Sequence, residues 1–215
     1  MDLPILPWGA SLQQSNETPF ARQRHDLAQG FGWRKVAALA SVTMTVVLVV
    51  LVASLPWWGL SFSDGRTETY YLGVPCYSGG SWGAGSCGEY GDRSAPLRDV
   101  FPVTFRLVLT ALALSVFELV FLVRAAIGRG HGFPILVTGI LGSIALMVAP
   151  AYLSLGLSGS TFSGSQTFNG LTHTSAQGSG WLLAPVVACF FLGATVVAFL
   201  AARHLAAGSA RAFRS

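Results

Sequence analysis

Charge is what this chain has least of. Only 10% of its 215 residues are Asp, Glu, Lys or Arg, and Lys35 is the single lysine. A soluble domain usually carries roughly a quarter charged residues, so the deficit argues against water as the solvent for most of the surface. Histidine is scarce too, with four scattered copies, and the three cysteines include no pair at metal-binding spacing. No paired carboxylate, His/Cys cluster or Gly-rich loop leading to a Lys occurs, and no Ser stands with a His and an acid at recognisable spacing. These absences leave no expected cofactor, no expected metal and no enzyme reading. The net charge of +4 does not point to nucleic acid either. The basic residues flank apolar runs and form no patch interleaved with aromatics.

What the chain has is apolar residues in blocks: 52% hydrophobic overall. A helix needs about 20 apolar residues to cross a hydrocarbon core. Four stretches qualify, at about 36–55, 101–123, 133–155 and 181–202. The first, third and fourth are uncharged; the second holds Arg106 and Glu118. They are apolar all round, as lipid-facing helices must be. None alternates apolar and polar residues as a barrel strand would. The predicted fold class is therefore an all-α membrane protein, a four-transmembrane-helix bundle. Residues 1–35 read as a flexible N-terminal arm, 36–205 as the membrane domain with connecting loops 57–100 and 156–180, and 206–215 as a tail. The 20-residue first run begins too far into the chain, and is too long, for a cleaved signal segment, so it is expected to stay as a helix.

Orientation follows from the basic residues. Four spans put both termini on one side. That side carries Arg22, Arg24, Arg34, Lys35, Arg124, Arg129, Arg203, Arg211 and Arg214. The other holds Arg66, Arg93 and Arg98. The positive-inside rule predicts cytoplasmic termini in a plasma-membrane protein. The bilayer itself is then the first expected partner, with a second copy or other membrane proteins beside it.

Prolines are expected at span ends, with Pro102 and Pro134 at the openings of spans two and three, Pro56 closing the first and Pro150 bending the third. Trp33, Trp57, Trp58, Tyr152 and Trp181 fall near predicted boundaries and read as an interfacial belt.

The first long loop contains Thr67 to Val74, whose Thr, Tyr and Val content suits a strand. Cys76 and Cys87 follow, with ten residues between them. Paired, they would close a short loop worth about 2–4 kcal/mol and place it in an oxidising compartment; the alternative is two free thiols. Cys189 sits within the fourth span and reads as a small buried apolar residue. The second loop is rich in Gly, Ser and Thr, with His173 its one titratable group. It reads as a flexible linker, though Thr161-Phe162 and Thr167-Phe168 would allow a hairpin.

Four spans, a long first loop with two close cysteines and a shorter second loop resemble the claudin superfamily. In that family a Trp follows the first helix, and Gly-Leu-Trp precedes the first of two loop cysteines. Trp57 or Trp58 takes the early Trp position, Cys76 and Cys87 match the disulfide pair, and Leu72 matches the Leu four before the first Cys. Tyr71 and Gly73 stand where the family has Gly and Trp. Arg106 resembles the family's Arg near the outer start of the second span. The resemblance implies a disulfide-linked extracellular β lobe in which both loops join one antiparallel sheet. It also implies a non-enzymatic role in cell contact, adhesion or membrane assembly. An accessory subunit of a larger complex is a further reading.

Glu118 is the sharpest single residue. It lies six residues before Arg124, about 9 Å inside the span. An intramembrane carboxylate is costly and a functional candidate by default. It pairs with a cation such as Arg124, Arg203 or Lys35, carries an ion or proton, or is buried protonated. Arg106 is about 18 Å away along the helix, too far to pair with it, and is expected to reach the outer surface or tie the loop to the bundle. Gly139 with Ser143, Ala184 with Ala188, and Ala194 with Ala198 are spaced for close helix contact.

Overall fold

The computed structural model describes residues 19–65, 67–72, 77–79, 95–127, 130–160, 163–168 and 170–212. The chain divides into two compact units, Met1–Arg34 and Lys35–Ser215. Four long helices are present, α1 Pro19–Ser54, α2 Ala95–Ala126, α3 Gly132–Leu157 and α4 Ser179–Ala212, with three strands between α1 and α2 and two between α3 and α4. All four are long and apolar enough to cross a membrane, with windows at Gly32–Ser54, Arg98–Ala126, Gly132–Leu157 and Ser179–His204. Their exposed positions are largely Val, Leu, Ile, Phe and Met, including Val47, Val120, Ile144 and Val197. That is the surface a helix presents to lipid rather than water.

Helix limits differ from the hydropathy blocks in an instructive way. The helix α1 starts at Pro19, inside the stretch expected to be a flexible arm, and α4 continues to Ala212. A backbone ladder once nucleated propagates past the apolar segment wherever the residues are good helix formers, and both extensions contain Ala, Arg and Gln or Leu. The helix α2 opens at Ala95, so Pro102 falls inside the helix rather than at its head. Pro150 and Pro185 are likewise internal to α3 and α4.

The strands are β1 Pro56–Phe62, β2 Thr67–Tyr71, β3 Tyr77–Gly79, β4 Ser165–Phe168 and β5 Leu171–Gln177. They form one antiparallel sheet in the order β3-β2-β1-β5-β4. The expected four-helix bundle with a small β lobe is present, the lobe being a five-stranded sheet. The second loop is ordered as the hairpin β4–β5 rather than a linker. Its β5 pairs with β1 from Trp58↔Gln177 to Phe62↔His173, so both connections at one end of the helices share a sheet. The β4–β5 turn has Gly170 at φ 79°, a conformation that glycine adopts at little cost.

The tightest helix contacts are α2 with α3 and α3 with α4. Glycines explain the second of these. A Cβ on Gly139 would lie 1.9 Å from the Thr195 hydroxyl, and one on Gly142 would lie 2.4 Å from the Phe191 ring. Bare backbone at both sites lets α4 seat its side chains directly against α3, the expected use of small residues where no hydrophobic effect drives helices together. Ser143, Ala184, Ala188, Ala194 and Ala198 are buried in the same packing.

Candidate functional site

Two places concentrate chemistry: the seat of the sheet on the helix ends, and the interior around Glu118.

The seat is organised by Trp57. The pairing of β1 with β2 slips between Pro56 and Trp58, and a bulge of this kind re-aims a side chain. Trp57 and Trp58 are both buried, at 0% and 6% exposure, so neither is the interfacial anchor that its position beside a span suggests. The Trp57 indole Nε1 donates to the Val52 carbonyl at 2.9 Å, a closer partner in the last turn of α1 than the Leu55 N–H, which reaches the same oxygen at 3.4 Å. On the α4 side, Gly178 donates its N–H to the Trp57 carbonyl at 3.0 Å. Side chains are excluded here: a Cβ on Gly178 would meet the Pro56 carbonyl oxygen at 2.2 Å, and one on Gly180 would meet the indole at 2.5 Å. One indole therefore joins α1, β1 and the start of α4.

Around it, Leu60, Tyr70, Leu72, Val100, Phe101, Leu153 and Leu157 complete a core shared by sheet and helices. Tyr70 is fully buried, its ring 6.2 Å from Phe101. Its hydroxyl donates to the Glu68 carboxylate at 2.5 Å, which gives the phenol a strong charge-assisted partner. His173 is 8% exposed and tilted against Phe62 at 5.7 Å. A flexible linker would leave this histidine in solvent; instead β5 turns it to the buried face. At the α3–α4 corner, the Trp181 indole donates to the Pro150 carbonyl and to Ser154 Oγ, both at 2.9 Å.

Leu72 belongs to this core. Arg106 is exposed on α2, eleven residues after its start, and makes no ion pair among the described residues. Cys76 and Cys87 lie outside the described residues, so the disulfide is not addressed by them. Cys189 is exposed rather than buried. It lines an apolar hollow of about 250 Å³ between α3 and α4, with Ser143, Ile144, Met147 and Ala188.

In the interior, Glu118 has 0% exposure. Neither carboxylate oxygen has a hydrogen-bond partner. No hydrogen bond joins Glu118 to any of the expected cations, Arg124, Arg203 or Lys35: Arg124 is exposed, and the Arg203 guanidinium sits 5.6 Å over the Phe199 ring. Thr195 is the polar neighbour on α4, but its hydroxyl donates to the Phe191 carbonyl at 2.9 Å. The contrast with other buried polar groups is instructive. Thr45, Thr104, Ser115, Ser143 and Thr195 are all buried in the helices, and each donates to a carbonyl three or four residues back in its own helix. A hydroxyl can satisfy itself that way. A carboxyl on a longer stem, with an extra oxygen, cannot.

Among the described residues no group of His, Cys, Asp and Glu is placed to hold a metal ion. The sequence could have signalled the seat: Trp58, Leu60 and Phe62 alternate at strand period, though the adjoining span makes them read as its apolar continuation. Compared with known proteins, the chain matches no family model and no curated protein.

Proposed function

We propose that this chain is a non-enzymatic tetraspan protein of the plasma membrane, claudin-like in build, that acts in cell contact, adhesion or membrane assembly through its sheet lobe. The observation that carries this reading is the pairing of β1 with β5. It fuses both connections on one side of the helices into a single rigid platform, anchored by Trp57. Interaction surfaces are best presented on such a scaffold, because a pre-ordered surface loses less entropy on binding. With nine basic residues toward the other end, the termini face the cytoplasm and the lobe faces outward. Cys76 and Cys87 then lie in an oxidising compartment, where their disulfide closes the lobe.

The test is contact between membranes. Two vesicle populations carrying different dyes, each reconstituted with the protein, are expected to form mixed clusters. Gly178→Val, which drives a side chain into the Pro56 carbonyl, is expected to abolish them while the helices stay inserted. Dispersed vesicles with correctly folded, outward-facing protein would refute the reading.

A second reading is favoured by the unpartnered oxygens of Glu118: a small proton or ion conductor using that carboxyl. Equal flux through wild-type and Glu118→Gln proteoliposomes would dispose of it.

A further inference from the structure

The buried residues of the helices gather into two apolar clusters. The one that reaches the sheet includes Val49, Ala111, Ala145 and Ala188; the other includes Val42, Leu122, Ile135 and Ala198. On every helix the stretch between the two holds small or polar buried residues. These are Thr45 on α1, Ser115 and Glu118 on α2, Gly139 and Ser143 on α3, and Thr195 on α4. Bracketed by the same two clusters, they lie at one depth and form a polar layer across the bundle.

The hydroxyls of this layer have already spent their hydrogens. Each has one to give. Those of Thr45, Ser115, Ser143 and Thr195 go to the carbonyls of Ser41, Leu112, Gly139 and Phe191, at 2.8–3.0 Å. What remains on each oxygen is lone pairs. Glu118, fully buried with both oxygens unpartnered, has one such acceptor beside it in Thr195. An ionised carboxylate can itself only accept. Away from water and faced by lone pairs, it would carry the cost of an unpaired buried charge.

No cation stands in the layer to offset that cost. Arg124 is about 9 Å along α2 from Glu118, and Arg203 and His204 are about 12 Å or more along α4 from Thr195. Lys35 is about 15 Å along α1 from Thr45. On α3 the nearest titratable group to Gly139 is His131, the N-cap residue, and the Cys189 thiol of α4 is exposed. A divalent metal ion would want about six oxygens or more. The layer has one carboxyl, and its bare position at Gly139 is already covered by Thr195. The ligand that turns this acceptor into a donor is a proton.

We infer that Glu118 is a proton-binding site: within the folded bundle its carboxyl takes up one proton and donates it to Thr195 Oγ1. The bound proton thereby ties α2 to α4, which touch each other less than either touches α3. The second oxygen still has no donor, so the site keeps a cost that an apolar side chain would not. Binding does not depend on conduction, because the apolar clusters on either side seat the proton whether or not it passes.

The test is the infrared spectrum of the full-length protein in lipid nanodiscs at neutral pH, where an exposed carboxyl is ionised. The difference between wild type and Glu118→Gln is expected to hold the C=O stretch of one carboxylic acid. Carboxylate bands in its place overturn the inference. Thr195→Val, alike in shape, is expected to keep the band and shift it, because the O–H loses its acceptor. An unshifted band overturns the tie to α4. Replacing sodium by a bulky organic cation is expected to change nothing; a band that grows when sodium is withdrawn gives the site to a metal ion and overturns the proton. The Gln amide resembles the neutral acid, so the fold should survive the change. If it does not, carbon-13 spectra of glutamate-labelled wild type test the same point without a variant, by a protonated carboxyl in contact with Thr195. Conduction would require this proton to exchange with both sides, whereas binding requires only that it be held. Flux through proteoliposomes decides the first and the infrared band the second, so either can fail alone.

Discussion

The two ends of this molecule's packing problem are solved with the same residue used in opposite senses. Between α3 and α4, Gly139 and Gly142 are hollows that receive Thr195 and Phe191 from the neighbouring helix. At the sheet, Gly178 clears space for the Pro56–Trp57 backbone and Gly180 for one large fixed body, the Trp57 indole. In the bundle, removing side chains brings two regular surfaces together, and the contact is repeated along the helices. In the seat, it admits a single irregular side chain on which three elements depend. The difference teaches where the structure is distributed and where it is concentrated. Damage to the bundle should be graded, and damage to the seat should be steep.

The steepest effect is therefore expected from Trp57→Ala. It removes a fully buried indole together with its bond to Val52, and should cost about 3–5 kcal/mol in a thermal or denaturant titration of the detergent-solubilised protein. A loss below that of the bundle variants would break the comparison. Next comes Gly139→Leu, which forces a side chain into Thr195. Overpacking of this kind costs about 1–3 kcal/mol, and a compensating Thr195→Ala should recover part of it in a double-mutant cycle. Glu118→Met is expected to act in the opposite direction. It replaces a buried carboxyl with no partner by an apolar chain of similar length, and stability should rise by about 1–3 kcal/mol. A fall would show that the carboxyl is satisfied by something that the present geometry lacks. Smallest is Ser143→Ala, within about 0.5 kcal/mol, because its hydroxyl serves only the Gly139 carbonyl of its own helix.

The same contrast decides what could be read from the sequence. The spans were legible because lipid imposes one composition on every exposed position, whatever the helix packs against. The small residues at 139, 143, 184 and 188 were legible for a related reason: spacing along one helix is a local property. Glu118 was visible as an anomaly, but its lack of a partner depends on the packing of neighbouring helices and could not be counted in one. The sheet was harder. Its strand Leu171–Gln177 turns His173 inward and exposes Thr174, Ala176 and Gln177, so no apolar alternation marks it, and its Gly- and Ser-rich surroundings resemble a linker. Its order comes from pairing with β1, more than a hundred residues earlier. The claudin resemblance did imply a sheet shared by both loops. The extra turns of α1 and α4 escaped because hydropathy marks where lipid ends, and a helix has no need to stop there.

The shared sheet is the claim on which the seat and the contact role both depend. Carbon–carbon correlation spectra of the isotopically labelled protein in lipid bilayers test it most directly. Gly59 and Ala176, which the register places opposite each other, should give a Cα–Cα cross-peak, accompanied by one between Leu60 and Ser175. Their absence, with the β4–β5 hairpin signals still present, would mean that the two connections fold separately and would contradict the account.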